Sequence, residues 1–166
     1  CGLMGHGIAQ ICAQAGWDVV SVEIDQGALD KGIAKIEKQL GRAVEKGRLE
    51  QADADAIRAR ITPTLEQDGL ADCDLVIEAI TEDLGRKLEL WRSVDGIVKP
   101  EAFLATNTSS LSVAEQAAAT SRPERFLGLD EVLLGTSGIS AGRRTPSCSS
   151  RRTCRSDCPA TPRREV

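Results

Sequence analysis

The chain has 166 residues and a mass of 17.7 kDa, which is room for one domain of ordinary size around a single core and too little for two of enzyme size. Hydrophobic residues make up 41% and charged residues 28%, the balance of a soluble globular chain rather than a membrane or wholly disordered one. No apolar run approaches the roughly 20 residues that span a bilayer. The start, Cys1-Gly2-Leu3-Met4-Gly5, lacks the basic and apolar segments of a secretory signal, so a cytoplasmic protein is expected.

Charge divides the chain. Residues 1–129 hold 14 Lys/Arg and 21 Asp/Glu, a net of −7, whereas 130–166 hold seven Arg, no Lys and four acids, a net of +3. From 141 to 166 there is no Leu, Ile, Phe or Met. Such a segment has too little apolar area to offset the entropy of ordering its backbone, so a disordered tail is expected. Its cysteines, Cys148, Cys154 and Cys158, lack the Cys-x2-Cys pairing of structural zinc sites, so no metal is expected. Cys1, Cys12 and Cys73 are scattered and read as reduced thiols. The tail's arginines have no interleaved aromatics, and the chain has no Tyr and only two Phe. Nucleic acid is therefore not an expected partner.

In chain order, Ile8, Ile11, Cys12 and Ala15 fall at helical spacing and predict a helix over 3–15 behind a glycine-rich turn. Val19, Val20 and Val22 predict a strand ending at Glu23. Leu29, Ile33, Ile36, Leu40 and Val44 step by three and four and predict a long amphipathic helix over 26–46, closed by Gly47. Ala54, Ile57 and Ile61 predict a helix ended by Pro63. Asp74–Ile80 is an apolar run of strand length, expected to be buried on both faces. Leu84, Leu88 and Trp91 predict a helix, Ala102–Thr106 a strand, and 112–119 a short Ala-rich helix leading to Phe126–Leu129.

Alternating strands and helices predict an α/β fold with a parallel sheet, and ligands of such sheets sit beyond the carboxyl ends of the strands. Glu23, Thr81, Glu82 and Asn107-Thr108-Ser109-Ser110 all fall at those ends. Gly2-Leu3-Met4-Gly5 before a helix matches the last four positions of the dinucleotide pattern G-x-G-x-x-G. There, Gly2 lets backbone approach a pyrophosphate, Gly5 lets the helix pack close to its strand, and the helix start offers N–H groups to the anion. Glu23, 18 residues after Gly5, stands where an acid accepts hydrogen bonds from ribose hydroxyls and repels a 2′-phosphate, which favours NAD over NADP. His6 reads as a surface or phosphate-side residue rather than a catalytic one.

Gly2–Gln10, Asp74–Ile80, Ala105–Leu111 and Arg122–Leu129, in this order and spacing, resemble the NAD-binding domain of 3-hydroxyacyl-CoA dehydrogenases, the 3-hydroxybutyryl-CoA type in particular. The resemblance implies a Rossmann-like doubly wound parallel sheet over 1–129 with its first strand missing and the family's C-terminal helical domain absent. It implies an acyl-CoA substrate, with NAD held by Gly2, Leu3, Met4, Gly5, Glu23, Glu82, Lys87 and Ser109. Glu23 would take the adenosine ribose, Glu82 and Lys87 the nicotinamide side, and Ser109 both cofactor and substrate. Lys46 matches a lysine that meets coenzyme A, and Gln39 stands where some members have a serine.

The resemblance stops at Leu129. Asp130 occupies the position of the family's catalytic histidine, and aspartate, with an unperturbed pKa of about 3.9, is a poor base at neutral pH. Little or no turnover is therefore expected, and the family's homodimer is not carried over without its dimer-forming domain. The change of composition is what an out-of-frame reading of a GC-rich gene would produce, and a missing first strand is what a partial gene would produce. A non-catalytic NAD or acyl-CoA binding module is the alternative. Without the first strand, the strands ending at Glu23 and Ile80 each lose a partner, which predicts low stability unless a segment such as Val132–Ile139 fills the gap.

Overall fold

The computed structural model describes residues 4–129; Gly2, Leu3, Asp130, the 130–166 tail with its cysteines and the gap-filling segment Val132–Ile139 lie outside the described residues. Five short strands, β1 (Val19–Val22), β2 (Ile61–Thr64), β3 (Leu75–Glu78), β4 (Phe103–Thr106) and β5 (Phe126–Gly128), alternate with helices α1 (Gly5–Gln14), α2 (Gln26–Glu45), α3 (Gln51–Ala59), α4 (Leu84–Ile97) and α5 (Val113–Ala117). Every pairing is parallel. β1 pairs with β2, Val19 opposite Ile61, and β3 pairs with β4 and β4 with β5, Leu75 opposite Phe103 and Leu104 opposite Phe126. The expected single parallel sheet is thus present as two pieces, β2-β1 and β3-β4-β5, with no strand between β1 and β3 among the described residues.

Local signals set the two longest helices. The Asp25 carboxylate accepts the Ala28 N–H at 2.8 Å and starts α2, whose Leu29, Ile33, Ile36 and Leu40 are buried. Gly47, at φ +63°, ends it in the left-handed conformation that glycine adopts without strain. Asp83 caps α4 through the Arg86 N–H at 3.0 Å, and Lys87, Trp91 and Val94 form its buried face. Two cores result, one on each side of the sheet. Ala9, Ala13, Ile33, Ile36, Leu40, Ala54, Ile57 and Ile61 pack α1, α2 and α3 together. Opposite them, Trp91 meets Phe126 edge-on at 4.8 Å among Leu70, Val94, Val98 and Leu104.

Four expectations are corrected. Ile61 leaves the helix, which ends at Ala59, and begins β2. Pro63 is tolerated there because, among the described residues, β2 is an edge strand paired with β1 alone, so its missing N–H faces no described neighbour. The β3 strand is shorter than Asp74–Ile80, and Leu75, Val76 and Ile77 are half-buried rather than buried on both faces; among the described residues β3 pairs on one side, with β4. The buried face of α1 is His6, Ala9 and Ala13, at i, i+3 and i+7, so His6 lies inside, 9% exposed, and not at the surface. The Ile8–Ile11–Cys12–Ala15 stripe looks the other way: Ile8 and Cys12 line the space between the two sheet pieces, and Ile11 is exposed. Among the described residues, a Cβ placed at Gly5 would meet nothing within 4 Å.

Candidate functional site

Because all strands are parallel, their carboxyl ends share one side of the molecule, and the polar residues gather there. A cleft of about 1100 Å³ opens at this side and continues down between β1 and β3. Its size exceeds the roughly 300–1,000 Å³ of ordinary ligand pockets because it joins two spaces, a polar mouth and an apolar slot. The slot is walled by Val19–Val22 and Leu75–Ile77, with Ile8 and Cys12 on one side and Leu90 and Val94 on the other.

The mouth brings together most of the expected residues. Met4 and Gly5 bring the start of α1 to it. Met4, at the N-cap position, makes no side-chain hydrogen bond, whereas Asp25, Asp83 and Ser112 cap α2, α4 and α5. Half-buried Glu23 follows β1 and its N–H donates to the Thr64 carbonyl at 3.2 Å. Glu82, Thr108, Ser109 and Ser110 form the opposite wall. The Glu82 Oε1 accepts from the Thr108 hydroxyl and, at 3.0 Å, from the Ser110 hydroxyl. These hydroxyls, Thr108 foremost, with the Lys87 ammonium, hold the Glu82 carboxyl below the usual carboxylate range despite some desolvation.

Lys87 is placed differently from a wall residue. Its side chain is 0% exposed, with Nζ 2.7 Å from Glu78 Oε1 and 3.5 Å from Glu82 Oε2. Glu78, equally buried, was not singled out by sequence. Its Oε1 also accepts the Ile80 N–H at 2.6 Å, and its Oε2 accepts the Thr106 hydroxyl at 2.6 Å. A glutamate inside an apolar run, with a lysine nine residues on, was the available signal, since a carboxylate buried in a sheet requires a partner. Thr108, whose hydroxyl also accepts the Leu111 N–H at 3.1 Å, was legible only as part of the Asn107–Ser110 cluster. Lys46 and Gln39 are exposed on α2 and its cap and are not among the residues lining the cleft.

Cys12 and Cys73 are free thiols on the cleft wall, and burial pushes both above the usual thiol range, which disfavours the reactive thiolate. Behind the site, Arg122 locks its Arg-Pro-Glu-Arg segment to α4: Nε lies 2.7 Å from Asp95 Oδ1, and Nη2 donates to the Asp95 carbonyl at 2.9 Å. Burial alone would raise the Asp95 carboxyl. The Ser121 N–H and the Arg122 guanidinium outweigh it and hold the group below its ordinary value.

A parallel α/β domain whose first helix start and the acid after β1 face one cleft at the carboxyl ends has the Rossmann-like fold. The sequence matches the family described as 3-hydroxyacyl-CoA dehydrogenase, NAD binding domain, over residues 1–130, and the chain belongs to that family. It is 46% identical over 128 residues to a probable 3-hydroxybutyryl-CoA dehydrogenase of Deinococcus radiodurans, covering 77% of this chain and 46% of that protein. It is 40% identical to a 3-hydroxybutyryl-CoA dehydrogenase of Clostridioides difficile, again over 77% of this chain and 46% of that one. The crystal structure of the (S)-3-hydroxybutyryl-CoA dehydrogenase PaaH1 from Ralstonia eutropha superposes with a TM-score of 0.75 at 43% identity, over 76% of this chain and 45% of that one. The chain thus spans about half the length of the relatives it matches. Among the described residues, no helix is long and apolar enough to cross a membrane.

Proposed function

We propose that this chain is the NAD-binding part of a dehydrogenase that oxidises the 3-hydroxyl of a 3-hydroxyacyl-CoA to the ketone, with 3-hydroxybutyryl-CoA the substrate type that its relatives' names favour. The observation that carries the reading is the assembly of the α1 start, Glu23 and the Glu82–Thr108–Ser109–Ser110 group on one cleft. Bound NAD would supply the hydride acceptor. The backbone N–H groups opening α1, with Gly2–Gly5, would face its pyrophosphate, and Glu23 would accept from the adenosine ribose hydroxyls. Glu82 and Ser109 would bound the nicotinamide side, with Lys87 behind them. Ser109, exposed on the cleft, would meet both cofactor and substrate. Lys46 and Gln39 would meet coenzyme A from α2.

Proton abstraction is the step for which this chain holds no suited group. Its single histidine, His6, is buried in α1, and Asp130 follows Leu129 where the family resemblance calls for histidine. Weak or absent turnover by residues 1–166 follows, and NAD binding without catalysis is the reading that Asp130 favours. The free thiols Cys12 and Cys73 fit a reducing, cytoplasmic setting.

Titration of purified 1–166 with NADH by fluorescence, followed by acetoacetyl-CoA in the same cuvette, tests the proposal. Binding without oxidation is expected. Oxidation would show that another group replaces histidine, and absence of NADH binding would remove the cofactor reading altogether.

A further inference from the structure

The Glu78 carboxylate holds three hydrogen bonds in the molecule's polar interior, and the residue is almost wholly buried, 3% exposed. One carboxylate ties three elements together. It accepts from Ile80 at the end of its own strand, from Thr106 at the end of β4 and from Lys87 in the first turn of α4. Next to it, the Glu78 carbonyl accepts the Asn107 N–H at 2.8 Å, so the loop that carries Thr108, Ser109 and Ser110 leaves the sheet from the same residue.

A buried ion pair of this kind is weak evidence for stability. Desolvating two charges costs several kcal/mol per ion, and apolar residues of similar volume often serve a core as well or better. What the pair does achieve is placement. A lysine side chain has four rotatable carbons and a mobile ammonium; here the ammonium is fixed between Glu78 at 2.7 Å and Glu82 at 3.5 Å. Glu82, 41% exposed at its side chain, then meets the Thr108 and Ser110 hydroxyls. A continuous chain therefore runs from buried Glu78 through Lys87 to the cleft wall, with one lysine balancing two carboxylates.

We propose that Glu78 is a positioning residue for the nicotinamide side of the cleft: through Lys87 and Thr106 it fixes where Glu82 and the Asn107–Ser110 loop stand. The proposal rests on the nucleotide-binding reading above and adds a residue to it. Glu78 touches neither the α1 start nor Glu23 in the contacts that hold it, so its influence falls on one end of a dinucleotide and not the other.

The test compares NADH with ADP-ribose, which lacks the nicotinamide ring, on the purified chain and on Glu78→Gln, which keeps the shape and removes the charge. The expected result is ADP-ribose affinity unchanged and NADH affinity lowered about tenfold, with part of the loss recovered in Glu78→Asp. Thr106→Val removes one donor to the carboxylate without disturbing the ion pair and should lower NADH affinity about threefold, again sparing ADP-ribose; it decides the matter if Glu78→Gln does not fold. Equal losses for the two ligands, or no loss for either, would overturn the assignment and leave the cofactor reading standing. Failure of the unaltered chain to bind ADP-ribose would overturn the cofactor reading and this proposal with it.

Discussion

The two halves of the sheet are built to different standards. In the β3-β4-β5 half the central strand β4 has a partner on each side, and Leu104, Ala105 and Thr106 are all buried. Its carboxyl ends carry the Glu78–Lys87–Glu82 chain and the Thr108 hydroxyl. In the β1-β2 half neither strand has two partners among the described residues, Val19, Val20 and Val22 are half-buried, and the helices α1, α2 and α3 supply most of the core. The contrast teaches that the polar site stands in the half built around a strand paired on both sides, β4, while the β1-β2 half depends on helix packing for its shape.

The largest effect should come from breaking the better-built half at its centre. Trp91 is fully buried, meets Phe126 edge-on and donates its indole N–H to Gln116 at 3.0 Å. Trp91→Ala should cost about 4 kcal/mol, and Ile36→Ala in the other core about 3 kcal/mol, read as shifts in the urea midpoint. A milder Trp91 variant would mean that this half packs no more specifically than the other.

Next in size is the Asp95–Arg122 lock. Arg122 is 8% exposed, so Asp95→Asn would leave a buried guanidinium without its counter-charge, at a cost of about 3 kcal/mol. The pH dependence has a definite sign. The folded-state pKa of Asp95 is depressed, so its contribution is present above the unfolded value of about 3.9 and is lost as pH falls through the folded value. The variant should therefore flatten the stability profile below about pH 4, and an unchanged acid limb would place the acid sensitivity elsewhere.

Hydrogen exchange reads the unequal pairing directly. Val19 N–H donates to the Arg60 carbonyl at 2.8 Å and Glu23 N–H to Thr64, and alternation along a parallel strand then aims the N–H groups of Val20 and Val22 at the slot. The Asp74 and Glu78 carbonyls accept from Phe103 and Asn107, which likewise turns Leu75 and Ile77 toward the slot. Val20, Val22, Leu75 and Ile77 should exchange at least tenfold faster than Val19 and Ala105, the signature of local rather than global opening. Uniform protection along β1 would mean that a further strand occupies the slot in solution.

Most of the architecture was legible because period and punctuation agreed: the α2 stripe with Asp25 before it and Gly47 after it left little choice. Where reading failed, the deciding partner was distant in sequence. Ile61 and Pro63 look like the end of a helix until β1 is known to lie beside them. The Ile8–Cys12 stripe has the correct period and faces a strand position that is open among the described residues, so His6, Ala9 and Ala13 mark the covered face instead. At the site, Glu23, Glu82 and Ser109 were visible from their places at strand ends. Glu78 was hidden within an apolar run, because a carboxylate's burial is justified only by Lys87 and Thr106 on other elements.

Thr108→Val makes the smallest and most local change, and it separates the site's electrostatics from its scaffold. Thr108 is buried and its hydroxyl both donates to Glu82 and accepts from Leu111 N–H, so an isosteric valine removes two bonds and keeps the volume. The first effect should be on Glu82: without its strongest hydrogen bond, the depressed carboxyl pKa moves back up toward the ordinary range, measurable by the pH dependence of the Glu82 carboxyl carbon shift in NMR. Stability should fall by only about 1 kcal/mol, the usual net worth of a hydrogen bond, because Glu82 is partly exposed and water replaces the lost donor. A Glu82 titration unmoved by Thr108→Val would assign the depression to the Ser110 hydroxyl and the Lys87 ammonium instead, the two groups that would then keep this carboxyl below its ordinary range.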